Sequence, residues 1–253
     1  MSQDKWAFYN RQYAQFGQYG GAQLVSDAYY PDGDPEAHFK EIVLNLGASN
    51  KTLLDIGSGS GGFTLSLAPY YGQIMGIEPS DLIQKAIEQQ QAREIPHVEF
   101  QRQDGYQTSF ADRSFEVIIS RRGPYPRAEI DRLLRPGGHF VHIGIGYEDA
   151  RSLKDFFGRG QMFNKRGSSL DWHKGNLQER GYQVQVLKDY LYDEYYEAFD
   201  DLNAFLQRVP IFEDYGSEED RALLKQYVAA NTRAQGIWLG RHRHLIHAIK
   251  QAK

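Results

Sequence analysis

Residues 53–63 read LLDIGSGSGGF: an acid set among apolar residues, then four glycines and two serines. Glycine loses the most conformational freedom on folding, so such a cluster implies a tight backbone bend or a ligand held against the main chain. Gly57, Gly59 and Gly62 fit G-x-G-x-x-G, and Gly57, Gly59 and Gly61 fit G-x-G-x-G. Both spacings bring backbone against a nucleoside or its phosphates. Asp55 discriminates between ligands. A carboxylate at the buried end of a strand is costly unless paired. It gains nothing beside a pyrophosphate, whereas beside a cation it gains an ion pair. The loop therefore suits a nucleoside that carries positive charge near Asp55.

Further candidates follow at the ends of later apolar runs. Glu78 lies 21 residues past Gly57, where an acid accepts hydrogen bonds from both ribose hydroxyls. Asp104-Gly105 follows the next run, where an acid can receive an adenine amino group. SRRG at 120–123 ends the run after that. Two arginines there suit a carboxylate or phosphate on an acceptor, or else pair with a carboxylate of the protein itself. His142 falls in a fifth run, either packed or turned toward the site. His242 and His244 share one strand face at metal-ligand spacing, but without a third ligand nearby no metal is expected. Arg121, His142 and His244 are the candidates for chemistry at the acceptor. The chain has no cysteine, which removes disulfides, thiolate catalysis and cysteine-bound zinc.

The elements that must position these residues show as hydrophobic periods. Residues 34–47 predict a helix, with Asp34 as cap, Pro35 in the first turn and Gly47 at the end. Strands are expected at 52–56, 73–78, 97–103, 115–120 and 139–145, with helices at about 61–71, 80–94 and 126–134. This alternation means βαβ units and a parallel sheet. The near-continuous apolar runs mean that both faces are covered. Ligands of such a sheet sit at the carboxyl ends of its strands. Past residue 150 the pattern weakens. Residues 182–196 read as a strand with an antiparallel partner at 236–250, and helices are expected at about 197–208 and 218–232. The stretch of about 194–235 is too short for a free-standing domain and reads as a lid or cap.

Taken together, LLDIGSGSGGF, GIEPS, RQDG and LLRPGGHF resemble, in order and spacing, the class I S-adenosylmethionine (SAM)-dependent methyltransferases of the type 11 kind. The resemblance is firm over residues 52–145. It implies a Rossmann-like, doubly wound α/β fold, with a seven-stranded sheet ending in a C-terminal antiparallel hairpin and a helical insertion. It implies a SAM-dependent methyltransferase, with S-adenosylhomocysteine as product. Asp55, Gly57, Ser58 and Gly59 would wrap the methionine part and Glu78 would hold the ribose, with Gly61 and Pro79 also at the cofactor. Asp104, Gly105 and Tyr106 would flank adenine, and Ser120 and Arg121 would face the methyl-transfer zone. Residues 1–50 would form a lid or cap, and 51–253 the methyltransferase domain. The first thirty positions are dense in tyrosine, and Tyr19, Tyr29 and Tyr30, with Arg121 and Arg122, are expected to line the acceptor site.

Net charge is −4, so no chain-wide basic field attracts nucleic acid. No apolar stretch approaches the roughly 20 residues that span a bilayer, and the N-terminus lacks the apolar core of a secretory signal. A cytoplasmic protein with a small-molecule acceptor, an acidic one among the options, is the expectation; monomer and homodimer stay open. Two alternatives accompany it: an RNA base methyltransferase and a non-catalytic SAM-binding regulator. RRGPYPRAEIDRLLRPGG is similar to the guanine-N1 ribosomal RNA methyltransferases, whose N-terminal cysteine-bound zinc module this chain cannot form. Position 120–123 lacks the N/D-P-P-[YF] run of the DNA and RNA amino-methylating relatives. The basic run GRHRHLIHAIKQAK at the C-terminus reads as a solvated strand.

Overall fold

The structure is a computed structural model that describes residues 6–16 and 22–252. Its frame is one mixed sheet. Five parallel strands come first: β2 (Thr52–Ile56), β3 (Gln73–Ile77), β4 (Val98–Gln101), β5 (Phe115–Arg121) and β6 (Leu134–Ile145). The long strands β7 (Tyr182–Tyr196) and β9 (Gly236–Lys250) pair antiparallel, and β9 slots between β7 and β6. Two short strands complete nine: β1 (Asp27–Tyr29) on the outer edge of β7, and β8 (Thr232–Arg233) beside β9. The order is β1-β7-β9-β6-β5-β2-β3-β4, with β8 off the path. The expected seven strands are present; β1 and β8 are the additions. Three and two residues make too short a run for a period to show, and an edge strand is held by its backbone bonds.

Helices cover both faces. On one face Phe39 and Val43 of α2 (Pro35–Asn45) pack with Leu53, Ile74, Val117, Ile119 and Val141. Asp34 caps that helix by accepting a hydrogen bond from the Glu36 amide at 2.8 Å. On the other face Ile130 and Leu133 of α5 (Arg127–Leu133) and Leu177 of α7 (Leu170–Glu179) cover Leu54, Ile56, Ile118 and Phe140. Between β3 and β4, α4 (Leu82–Ala92) buries Leu82, Ile83 and Ala86. A third cluster holds the later helices. Leu153 and Phe157 of α6 (Arg151–Phe157) join Leu202, Phe205 and Leu206 of α8 (Phe199–Arg208) there. Leu224 and Tyr227 of α9 (Glu218–Asn231) complete it, against Ile237 and Leu239 of β9.

The structure corrects one reading of the C-terminus. The run GRHRHLIHAIKQAK is an inner strand, paired on both sides, and its residues 241–246 are all buried. Composition pointed to the surface, but the topology puts the strand inside.

Candidate functional site

The glycine loop leaves β2 at Ile56 and leads into α3 (Gly62–Ser66). Gly57, Gly59 and Gly61 adopt φ of +80°, +55° and +78°, where an L side chain is strained. The Gly57 and Ser58 amides both donate to the Ile77 carbonyl, which ties the loop to β3. A Cβ at Gly61 would sit 2.7 Å from Phe100, whereas one at Gly59 would meet nothing within 4 Å. The loop is thus packed at its helix end and open in its middle.

Asp55 is buried beneath this loop. Its Oδ2 accepts from Thr64 Oγ1 at 2.6 Å, and its Oδ1 is buried with no partner. Burial pushes its carboxyl up to about 6, against the opposing pull of Thr64 and Arg121. Ser58 Oγ is buried without a partner as well. Buried polar atoms without partners are rare in folded proteins, and two beside an open glycine loop fit a ligand bearing a charged donor. Glu78 follows β3. Its Oε1 accepts from the Ser80 amide (3.0 Å) and hydroxyl (2.6 Å), and its Oε2 from the Gly59 amide (3.2 Å). Pro79, the next residue, accepts from Arg102 at 3.2 Å. The helix α1 (Ala7–Phe16) lies over this turn, where Asn10 Oδ1 accepts from the Asp81 amide at 2.9 Å.

After β4, Asp104 Oδ1 accepts from the Tyr106 amide at 3.0 Å, and the Tyr106 ring is exposed. A Cβ on Gly105 would fall 2.6 Å from the Ile56 methyl, so only glycine lets the two turns approach. At the end of β5, Ser120 Oγ donates to the Pro124 carbonyl at 2.8 Å and closes the RRGP turn. Pro124 in turn lies 3.1 Å from where a Gly57 Cβ would be, so this turn sits against the glycine loop. Asp55, Gly57, Ser58, Gly59, Glu78, Gly105 and Ser120 therefore cluster past the carboxyl ends of β2, β3, β4 and β5.

Arg121 and Arg122 leave this cluster toward α2. Arg121 Nε donates to Glu36 Oε2 at 2.6 Å, and Arg122 Nε lies 3.1 Å from Glu36 Oε1. Burial would raise the Glu36 carboxyl, but Arg122 and Arg121 outweigh it and hold it below the usual range. Both arginines line a cavity of about 240 Å³. Its floor is β9, where Arg241 and Arg243 grip Asp149 at 2.9 and 2.6 Å. Burial opposes ionisation of Asp149, yet the two guanidiniums keep its carboxyl far below normal. Glu194 of β7 pairs with Arg241, and the Tyr30 and Tyr192 rings stand 4.9 Å apart on one wall. Phe205, Val209, Pro210 and Ile211 supply the apolar roof, and Tyr9 of α1 reaches the same space.

The other predicted positions lie elsewhere. His142 and His244 point to the opposite face of the sheet, where they cluster with His173 and Tyr125. Burial, then His173, pushes His142 down to about 3, and its Nδ1 stands 3.1 Å from the Ser120 carbonyl. Burial and its histidine neighbours also lower His244. His242 sits 3.0 Å from Asp189, and among the described residues no group of three or more His, Cys, Asp or Glu is placed to hold a metal ion. Tyr29 is on the exposed edge outside the cavity, and Tyr19 lies outside the described residues. Sequence reasoning missed Glu36, Asp149, Glu194, Arg241 and Arg243. The alternation R-H-R-H was the available signal, since it puts both arginines on one face and both histidines on the other.

A doubly wound sheet with a glycine loop at the end of its central strand defines a nucleoside-binding α/β domain. Residues 53–138 match the family model described as a methyltransferase domain. A probable phthiotriol/phenolphthiotriol dimycocerosates methyltransferase 2 from Mycobacterium ulcerans (strain Agy99) is 31% identical over 108 residues, 38% of this chain. The chain spans 40% of that relative's length. A putative methyltransferase from Bacillus halodurans C-125 superposes with a TM-score of 0.64 at 16% identity, over 87% of this chain and 100% of that one. The geranyl diphosphate C-methyltransferase of Streptomyces coelicolor A3(2), solved with S-adenosylhomocysteine, gives 0.55 at 14%, over 93% and 90%. These two likenesses carry the fold. Over residues 53–138 the chain is thus similar to methyltransferase domains.

Proposed function

We propose that the protein transfers the methyl group of SAM to a small acidic acceptor held in the arginine-lined cavity. The observation that carries this reading is the pair of partnerless buried atoms, Asp55 Oδ1 and Ser58 Oγ, beside a glycine loop that is open in its middle. Asp55 would meet the ammonium of the methionine part, Glu78 the ribose hydroxyls and the Asp104–Tyr106 turn the adenine. Bound SAM supplies an electrophilic methyl on a positively charged sulfur. What this chain adds is orientation. Positioning two reactants can lower a barrier by about 7–11 kcal/mol, so a methyl transfer does not require a dedicated catalytic group. Arg121 connects the two halves, because it acts on Asp55 at one end and pairs with Glu36 in the cavity wall at the other.

The experiment is SAM calorimetry on wild type and Glu78→Ala, followed by transfer from methyl-labelled SAM into cell extract. About ten-fold weaker binding in the variant, the scale of one or two lost charge-assisted hydrogen bonds, is expected. The label is expected in nuclease-resistant small molecules. Unchanged affinity would remove Glu78 from the site, and label released by RNase would replace the small acceptor with RNA.

A further inference from the structure

The cavity beside the methyl-transfer zone contains four guanidiniums, Arg121, Arg122, Arg241 and Arg243, and three carboxylates, Glu36, Asp149 and Glu194. Every carboxylate is engaged. Glu36 holds Arg121 and Arg122; Asp149 holds Arg241, Arg243 and the His242 amide; Glu194 holds Arg241 and the Tyr196 hydroxyl. One positive charge is left over. It has an address, because Arg243 is 3% exposed and its Nε is buried with no hydrogen-bond partner. An excess positive charge among the guanidiniums of a cavity lining fits an anionic group on the ligand.

A second observation narrows the chemistry. An alcohol, phenol or ammonium acceptor must lose a proton, which calls for a base near neutrality. The described lining contains no histidine and no lysine. Of its three carboxylates, Glu36 and Asp149 are held low by arginine and Glu194 is paired with Arg241, while burial pushes the Tyr9, Tyr30 and Tyr192 phenols up. The histidines His142, His173 and His244 lie on the other face of the sheet. An ammonium acceptor would in addition face an excess of positive charge.

We infer that the acceptor atom is a carboxylate oxygen, so that the reaction forms a methyl ester. This rests on the methyltransferase reading above. A carboxylate arrives with its proton already gone, supplies the charge that the arginines lack, and needs no base. One of its oxygens forms a bond to the methyl carbon as the carbon–sulfur bond breaks. The electron pair of that bond stays on sulfur, the sulfonium becomes a neutral thioether, and no proton moves. The guanidiniums hold the second oxygen and so aim the first. Arg243 is a positioning and recognition residue for the acid.

The test uses the whole protein, methyl-tritiated SAM and the low-molecular-weight fraction of a cell extract, with SAM binding measured by calorimetry on the same sample. Methyl esters hydrolyse in alkali and release volatile methanol, whereas N-methyl, C-methyl and ether products do not. The expected result is label in small molecules that alkali converts to volatile counts. Arg243→Gln should reduce these counts about ten-fold or more while SAM affinity stays within about two-fold, the signature of a lost acceptor contact. If the buried substitution does not fold, Arg122→Gln on the cavity rim tests the same point. Alkali-stable label, or bound SAM with no labelled small molecule, overturns the carboxylate assignment. Failure to bind SAM overturns instead the reading on which it rests.

Discussion

Arg121 Nε donates to Glu36 Oε2 at 2.6 Å across 85 residues of sequence, and this bond joins the end of the central sheet to the first turn of α2. Arg122 shares the same carboxylate. The pair is partly exposed, so its worth is that of a semi-screened ion pair, about 1 kcal/mol. Glu36→Gln should therefore lower the melting temperature by about 2–4 °C, the shift expected for that energy in a chain of this size. The same change removes one negative charge from the cavity. The acceptor's KM should fall several-fold with SAM affinity unchanged. A higher KM would mean that Glu36 touches the acceptor favourably.

Asp55 couples binding to pH. Its carboxyl is raised to about 6 in the folded chain, against about 4 when unfolded. The sign follows from proton counting: between those values the folded state holds the extra proton, so stability falls as pH rises through that window. Asp55→Asn keeps the Thr64 hydrogen bond through its amide oxygen and never carries the buried charge. Without ligand it should melt higher than wild type above pH 6 and equal it near pH 4. It should also bind SAM at least about ten-fold more weakly, since in the proposed reading the carboxylate would pair with the ammonium. In wild type, SAM affinity should drop as pH falls below about 6. Thermal melts and calorimetry from pH 4 to 8 check each part.

How much of this was legible in the sequence depends on the kind of signal. The strands 52–56, 182–196 and 236–250 stand where their patterns put them, because β-branched and aromatic runs bounded by glycine leave few alternatives. Ser217 caps α9 with Asp220 reciprocating, a local signature readable from a few residues. Three helices escaped, α1 in the tyrosine-rich first segment among them. α7 carries Gly175 and Trp172 and buries only His173 and Leu177, so its own period is faint and packing on β7 decides it. α6 spans seven residues and buries a lysine, Lys154, which no apolar template anticipates. The glycine loop and its acids were legible because their spacing is local. The arginine-lined cavity was not, because Glu36, Asp149, Arg241 and Arg243 meet only through tertiary structure.

The histidine cluster on the far face makes its own prediction. His142 and His173 are buried beside Tyr125, and burial lowers them to about 3 and 4. An unfolded histidine titrates near 6.5, so between that value and about 4 the unfolded chain binds protons that the folded one refuses. Stability should fall as pH drops from 6.5 toward 4, by at most about 1.4 kcal/mol per pH unit for each group. Asp55 works in the opposite sense over part of this range. Urea melts at pH 7 and pH 5 should therefore show a loss in wild type, a larger loss in Asp55→Asn, and a smaller one in His173→Asn. A pH-independent His173→Asn difference would place that imidazole in solvent.

The docking of α1 gives the last test, since it decides whether the segment before the sheet takes part in binding. Asn10 Oδ1 accepts from the Asp81 amide at the start of α4, and the Phe16 ring lies under the Arg208 guanidinium, 4.7 Å from its centre. One short helix thus bridges the turn after β3 and the helix α8, and its Tyr9 lines the cavity. Its described core contribution is a single buried residue, Gln12, so little apolar area holds it in place. Asn10→Ala removes one of its anchors, worth about 1 kcal/mol. The global melting temperature should scarcely move, because the sheet does not depend on this helix. Amide exchange across residues 7–16 should accelerate about five-fold, the population change that this energy allows. SAM affinity should weaken by a similar factor if the helix closes over the nucleoside. Faster exchange with unchanged SAM affinity would leave α1 as a wall of the acceptor cavity alone, and unchanged exchange would show that the Arg208 contact holds it unaided.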